Sequence, residues 1–320
     1  MRRFFCPNCG NELFFNSFDC VACGLAVGFQ PSTCSFRPLE LACQNRLPHG
    51  VCNWQVENGN GLCQACSLNQ VIPDLSLPGN IRKWARLEVA KRRMLYSCLR
   101  FGLELDGLSF RFVARTPDEP AITGHERGVI TINISEADTA QREAQRERMH
   151  ERYRTLVGHF RHEVGHFYWS RVEHNASLLH EFRELFGDER QDYQSSLDQH
   201  YASQTRDQSD DHISVYAGAH PWEDWAETFA HYLHLCDVLE TSGEFGLAQH
   251  RLTYPPDFEA ALLAWTGLSV ALNEVNRSMG LQDLYPFVLS PAVNQKLAFV
   301  HRVVNHDPSL VQLQLDFNPS

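Results

Sequence analysis

The chain has 320 residues, of which 43 % are hydrophobic and 21 % charged, a composition typical of a globular protein long enough for one large and one small domain. Its net charge of −11 disfavours nucleic acid and anionic membranes as partners. We find no apolar run of signal-peptide or membrane-spanning length. The sequence therefore predicts a soluble, cytoplasmic protein.

The distribution of the cysteines divides the chain. Nine of the eleven precede residue 67, in a segment too small to be stabilised by core burial alone. A stretch with two prolines follows at about 67–80 and reads as a linker. We predict one domain at residues 1–70 and a second at 80–320.

The first four cysteines form two C-x-x-C pairs, each followed by glycine, in "CPNCG" and "CVACG". A two-residue spacer lets both thiolates of a pair point at one ion, and glycine permits the left-handed turn that directs backbone N–H groups at sulfur. Disulfides are the alternative, which a reducing compartment disfavours. We predict a structural zinc site, the first quartet, at Cys6, Cys9, Cys20 and Cys23.

A second set of cysteines is less regular, with one C-x-x-C pair and two single residues. Four thiolates still complete a tetrahedron, and burial as small hydrophobic side chains is the alternative. Because residues 1–70 hold as many acidic as basic side chains, we expect this segment to contact protein rather than nucleic acid. We predict a second structural zinc site, the second quartet, at Cys43, Cys52, Cys63 and Cys66.

The next elements are a helix and two strands. Asn80 is a candidate N-cap for a helix through "AKRRMLY", whose charges we interpret as a solvated face. The stretches "LSFRFVAR" and "GVITINIS" are rich in β-branched and aromatic residues, and their apolar and polar residues alternate, which predicts two strands. The strand pair is expected to flank the active-site cleft, and "GVITINIS" to offer an edge to which an extended peptide adds. From Glu136 to about Trp169 the pattern is helical.

Within that helix, "HFRHEVGHFYW" contains an H-E-x-x-H motif. His162 and His166 share one helix face and can present two imidazole nitrogens to one ion, with Glu163 beside them. Such a zinc ion acidifies its bound water, and Glu163 is the predicted general base. A histidine-rich core helix is the alternative, because the motif arises by chance in about one such chain in twenty.

The motif needs a third ligand. No glycine and third histidine follow at metzincin spacing. In "HPWEDWAETFAHYLH", Glu223 and Glu227 lie one turn apart among aromatic residues, and spacing alone allows either to bind the metal. The alternative is that both are exposed helical charges.

The chain resembles a bacterial family of zinc-binding metallopeptidases with an N-terminal zinc ribbon over nearly its whole length. The resemblance lies in "CNW", "AKRRMLY", "TGHERGVITINISEAD", "YRTLVGHFRHEVGHFYW", "LFGDERQDY" and "SVYAGAHPWEDWAETFAHYLH". More distantly, H-E-x-x-H followed by E-x-x-A-E resembles gluzincin proteases, although the spacer of about sixty residues is longer here. The resemblance implies that Glu223 is a metal ligand and that Glu227 supports a ligand histidine. It also implies an α+β, mostly helical, gluzincin-like domain that follows a double zinc ribbon.

These observations predict a zinc metallopeptidase that hydrolyses peptide bonds of a peptide or protein substrate, with one catalytic and one or two structural zinc ions. By the same resemblance, Tyr216 is a candidate donor to the oxyanion, and a buried structural tyrosine is the alternative. A catalytically silent, zinc-stabilised module that binds protein or peptide is the competing function. Retention of Glu163 favours the enzyme, because a structural site needs no base.

Overall fold

The computed structural model describes residues 1–59, 61–114, 123–149, 155–202, 210–248 and 251–305. These residues fall into two compact units. One comprises described residues within 1–150, 154–160 and 240–251, and the other those within 161–239 and 252–305. The domain division at residues 70–80 and the place of the strand pair beside a cleft stay predictions.

The cysteine-rich start of the first unit is built from two antiparallel hairpins and short pieces. Strand β1 (Phe4–Phe5) pairs with β2 (Glu12–Leu13), and β3 (Val27–Gln30) pairs with β4 (Ser35–Pro38). A short helix, α1 (Gln64–Ser67), leads into strand β5 (Asn69–Val71). Such short strands cannot hold together by pairing alone.

Aromatic packing joins this segment to the long helix α2 (Asn80–Arg100). The rings of Phe15 and Phe29 meet edge-on at 5.1 Å, and Tyr96 of α2 lies 5.6 Å from Phe15. All three side chains are buried. Edge-to-face aromatic pairs of this kind stabilise a small core beyond the area they bury.

Strand β5 and three strands that follow α2 form a four-stranded sheet with the strand order β5, β6, β8, β7. Strands β6 (Ser109–Val113) and β8 (Val129–Asn133) are parallel, and β7 (Gly124–Glu126) is antiparallel to β8. The prediction that "GVITINIS" offers an edge is wrong, because β8 pairs on both sides, and β5 and β7 are the outer strands among the described residues. The sequence shows that a segment is a strand but not where it lies in the sheet.

The interpretation of the α2 charges as a solvated face is right only near the start of the helix, where Arg82 is exposed. Lys91 is 0 % exposed and Arg92 is 1 % exposed, so these charges do not form a solvated face. The predicted N-cap is wrong by one residue, because Gly79 is the N-cap and Asn80 is the first residue of the helix.

Helices make up most of the rest of the described chain, and the predicted mixed, mostly helical composition is confirmed at 51 % helix. None of the helices within the described ranges combines the length and the apolar character that a membrane span requires. The helices after the sheet are α3 (Thr139–Met149), α4 (Leu156–Tyr168), α5 (Ser170–Glu173), α6 (Ala176–Phe186), α7 (Tyr193–Ala202), α8 (Pro221–Glu244), α9 (Phe258–Ser278) and α10 (Pro291–Val304).

In the second unit, α4 and α8 approach each other closely at Gly165. A Cβ atom on Gly165 would lie 3.0 Å from the Cα atom of Ala226 and 3.2 Å from the Cβ atom of Phe229. The indole N–H of Trp225 donates to the Gly165 carbonyl at 2.8 Å. The glycine inside the H-E-x-x-H motif therefore lets the two helices pack backbone to backbone.

Candidate metal centre

The two helices bring three ligand groups to one point. His162 and His166 lie one turn apart on α4, and Glu223 lies in the first turn of α8. The two Nε2 atoms are 3.2 Å apart, and Glu223 Oε2 lies 3.0 Å from His162 Nε2 and 3.6 Å from His166 Nε2. We call this group the two-histidine centre.

These distances fit a zinc ion. Bonds of about 2.0–2.1 Å at a tetrahedral angle separate neighbouring ligand atoms by about 3.3 Å. The donor set, two imidazoles and one carboxylate, is that of hydrolytic zinc sites with an open fourth position. Three atoms that act as acceptors face one another here, an arrangement that a cation stabilises.

Hydrogen bonding outside this triangle fixes the orientation of His162. Its Nδ1 lies 2.8 Å from Glu227 Oε1, so we assign the proton to Nδ1 and leave Nε2 free to bind metal. The hydroxyl of Ser214 donates to the second oxygen of Glu227 at 2.7 Å. The structure thus places Glu223 at the ligand triangle and Glu227 behind one ligand.

The centre is electrostatically suited to a cation. Burial opposes protonation of His162, but its contacts with Glu223 and Glu227 raise its pKa well above the ordinary value. Burial also opposes ionisation of Glu227, and the hydrogen bond with His162 nevertheless lowers the pKa of Glu227 to about 2. Two ionised carboxylates beside the imidazoles therefore attract positive charge.

Tyr193 is a residue that the sequence did not identify. It begins α7, and its hydroxyl donates to Glu223 Oε1 at 2.5 Å. Burial and then the charge of Glu223 raise the pKa of Tyr193 above its ordinary value, so the hydroxyl stays protonated. The ligand carboxylate is thus held by one oxygen while the other faces the histidines. The only signal in the sequence is the long spacer between the two motifs, within which Tyr193 lies.

The two predicted catalytic residues lie in the second unit with the centre. Glu163 follows the first ligand and is 5 % exposed. The ring of Tyr216 lies 5.9 Å from that of His162. Burial, followed by the charge of Glu223, raises the pKa of Tyr216 well above its ordinary value, so its hydroxyl is a donor at neutral pH.

Three further histidines near this part of the sequence have other contacts. His220 accepts from Trp222 N–H at 3.1 Å at the start of α8. His231 lies 2.8 Å from the Tyr285 hydroxyl, and His234 lies 3.2 Å from an Arg161 nitrogen. These histidines cap or pack, and the three-residue centre does not include them.

Each predicted cysteine quartet forms a cluster in the first unit. In the first quartet, Cys6 and Cys23 are 3.7 Å apart and Cys9 and Cys20 are 3.6 Å apart, measured between Sγ atoms. In the second, Cys52 and Cys63 are 3.4 Å apart. Four bonds of about 2.3 Å to zinc place sulfurs about 3.8 Å apart. Both clusters therefore have the donors and the size of a structural zinc site.

The turns of the first quartet follow from its glycines. Gly10 and Gly24 both have φ of +72°, a region that glycine enters without cost. Their N–H groups donate to the carbonyls of Cys6 and Cys20, at 3.0 and 2.8 Å. Each C-x-x-C-G stretch thus closes on itself and presents two sulfurs on one side.

The described residues thus combine a mostly helical part, which holds a cluster of two histidines and one glutamate that could bind a metal ion, with two clusters of four cysteines nearer the N-terminus. The chain belongs to the family described as "Putative zinc-binding metallo-peptidase", whose sequence model matches residues 80–303. A zinc-ribbon domain model matches twice, at residues 3–42 and 39–77. The predicted family is confirmed.

Similar proteins come from mycobacteria. Uncharacterized proteins of Mycobacterium tuberculosis and Mycobacterium bovis are each 40 % identical to this chain over 343 aligned residues, covering 100 % of it and 98 % of the relative. No solved structure matches the chain.

Proposed function

We propose that the protein is a zinc-dependent peptidase in which His162, His166 and Glu223 bind the catalytic zinc. The observation that carries this proposal is the triangle of two Nε2 atoms and one carboxylate oxygen with edges of 3.0–3.6 Å. Zinc bound there supplies Lewis acidity, which polarises a carbonyl and lowers the pKa of water. The gluzincin-like arrangement, with a ligand and a supporting carboxylate one turn apart on α8, belongs to the same proposal.

The chain's own groups divide the remaining work. Glu163 takes the proton of the attacking water and passes it to the leaving amine, because it is the buried carboxylate next to a ligand histidine. Tyr216 donates its hydroxyl to the oxygen that becomes negative in the transition state. Glu227 and Tyr193 orient one ligand each, through His162 Nδ1 and Glu223 Oε1.

The substrate class of the proposal is peptide or protein, and the ribbons are proposed to contact protein. A structural zinc site has no use for a carboxylate such as Glu163 beside an open metal position, which supports the enzyme over a silent binding module.

The test compares wild-type protein with Glu163→Gln. Both proteins are incubated with a mixture of peptides, new termini are identified by mass spectrometry, and bound zinc is measured by elemental analysis. We expect equal zinc content, up to one ion for each of three ligand groups, and peptide cleavage only by the wild type. The exposed Glu173→Gln, a short distance along the chain, is the matched control and retains cleavage.

Equal cleavage by Glu163→Gln and wild type would remove Glu163 from the mechanism. Zinc at the two-histidine centre with no cleavage by the wild-type protein would favour the silent binding module instead.

A further inference from the structure

A buried lysine of the second unit lies close to the start of α8 and has no part in the chemistry proposed above. Lys296 of α10 is 4 % exposed, and its Nζ atom lies 2.6 Å from Oδ2 of Asp224, which is 1 % exposed. The same Nζ atom donates to the backbone carbonyl of Asp211, also at 2.6 Å. One ammonium group on α10 thus joins α8 to residues 210–219, which we call the tyrosine segment.

The beginning of the tyrosine segment is attached to α10. Among its residues, all of which the structure describes, the regular structure is one 3-10 turn at Tyr216–Ala219, so contacts with other elements must set its position. Lys296 supplies one such contact. The hydroxyl of Ser290, the N-cap of α10, supplies another by donating to the carbonyl of Asp210.

The other end of the tyrosine segment contacts the two-histidine centre. The hydroxyl of Ser214 accepts from the N–H of Ala217 at 3.1 Å and donates to Oε2 of Glu227 at 2.7 Å. Glu227 in turn lies 2.8 Å from Nδ1 of the ligand His162. The ring of Tyr216 lies 5.9 Å from the ring of His162. A displacement of the segment would therefore move two side chains relative to one metal ligand.

Stability alone does not explain a buried lysine at this place. Both ions of a buried pair lose their water, so apolar side chains of similar size often stabilise a fold as well. An apolar side chain cannot, however, donate to oxygens on two separate stretches of chain, whereas an ammonium group has three donors. The side chain of Lys296 is thus suited to holding the tyrosine segment against α8.

We propose that Lys296 is a positioning residue of the two-histidine centre, because it fixes the tyrosine segment to α8. The segment then presents Ser214 to Glu227 and the ring of Tyr216 to a ligand histidine. The effect on turnover rests on the proposed peptidase function, in which Tyr216 donates to the oxyanion. The effect on zinc does not, because Glu227 orients His162 whether or not a peptide is cleaved.

The experiment separates these hydrogen bonds from the ion pair. Asp224→Asn removes the negative charge but keeps a side-chain oxygen that accepts from Lys296, so both hydrogen bonds remain while a buried cation loses its counter-ion. Lys296→Met combined with Asp224→Asn removes both charges and both hydrogen bonds. The matched control is Arg302→Met, which removes an ion pair between α10 and Glu181 of α6.

Four quantities are measured on the full-length, zinc-loaded proteins. They are the midpoint of urea denaturation, the zinc affinity in competition with a chelator, the exchange of backbone amide hydrogens by mass spectrometry, and the kcat and KM for peptide cleavage. Glu223→Ala, which lacks a ligand of the two-histidine centre, identifies the part of the chelator titration that belongs to the cysteine quartets.

We expect stability and zinc affinity to rank the two variants in opposite orders. Asp224→Asn should have the lower denaturation midpoint, because it leaves a buried charge unpaired, yet should match wild type in zinc affinity and in exchange at residues 210–219. The double variant should bind zinc at the two-histidine centre about tenfold more weakly. Its exchange should be faster at residues 210–219.

The double variant should also lose turnover. Its kcat should fall by up to about a hundredfold, the loss expected for one oxyanion donor, with little change in KM. Arg302→Met should match wild type in zinc affinity, exchange and turnover.

Three results would overturn the proposal. If Asp224→Asn binds zinc more weakly than the double variant, zinc affinity follows stability and the lysine serves the ion pair alone. If exchange at residues 210–219 is equal in the double variant and wild type, Lys296 does not fix the segment. If exchange rises throughout the second unit, the role of Lys296 is general stability. A wild-type protein that cleaves no peptide would refute the proposed function, and zinc affinity and exchange would still decide this inference.

Discussion

Replacing Gly165 by alanine tests whether the close approach of α4 and α8 builds the two-histidine centre. The new Cβ atom would lie 3.0 Å from Ala226 Cα and 3.2 Å from Phe229 Cβ, against an ordinary carbon contact of about 3.5–4.0 Å. The helices must separate by about half an ångström. Overpacking of this kind costs about 1–3 kcal/mol, whereas alanine in a helix gains about 1 kcal/mol over glycine.

The balance is a net loss of about 1 kcal/mol, which lowers the melting temperature by about 2–4 °C in a unit of this size. The same shift moves both histidines away from Glu223, and metal bonds tolerate about 0.2 Å. We therefore expect weaker zinc binding at this centre in a chelator titration, with both quartets unchanged.

Gly267 provides the matched control. It lies in α9, and a Cβ atom there meets nothing within 4 Å. Gly267→Ala should stabilise the protein by up to about 1 kcal/mol, the opposite sign from Gly165→Ala. Equal stabilisation by both substitutions, with zinc retained, would refute the idea that the glycine spaces the helices.

Three further outcomes can be checked. Glu223→Ala should empty the two-histidine centre in elemental analysis, whereas Glu227→Ala should weaken its zinc about ten- to hundredfold; the reverse order would exchange the two roles. Tyr193→Phe should also weaken zinc about tenfold or more because Glu223 loses a hydrogen bond, and unchanged zinc affinity would make that contact incidental. Lys296→Met leaves Asp224, 1 % exposed, without its ion pair and should cost about 3–5 kcal/mol near pH 8 in chemical denaturation. Burial, opposed by Lys296, already raises the pKa of Asp224 to about 6. Protonation of Asp224 should therefore narrow the difference in unfolding free energy between the two proteins as the pH falls to about 5.5. A constant difference would contradict this explanation.

Local chemistry was readable from the sequence. The C-x-x-C-G turns depend on residues a few positions apart, and glycine was correctly expected to enter the left-handed region at Gly10 and Gly24. The placement of His162 and His166 on one helix face needs only the helical repeat. The family follows from motifs that span much of the chain.

Long-range placement was not readable. The position of β8 inside the sheet depends on pairing with β6 and β7, which alternation along one strand does not reveal. The burial of Lys91 depends on neighbours that come before and after it in the chain, so the charge run looked like a surface. Tyr193 reaches Glu223 across 30 positions, and its own neighbourhood in sequence carries no sign of a metal.

The sites also differ in how far apart along the chain their residues lie. In the first quartet, Cys6 and Cys23 are 17 positions apart, whereas His162 and its supporting Glu227 are 65 positions apart. Because a chain is made from its N-terminus and short loops close at lower entropic cost, the ribbon can gather its sulfurs while later residues are still being synthesised. The residues of the two-histidine centre come later in the chain, so we expect the ribbon of a newly made chain to be able to bind zinc before the two-histidine centre can.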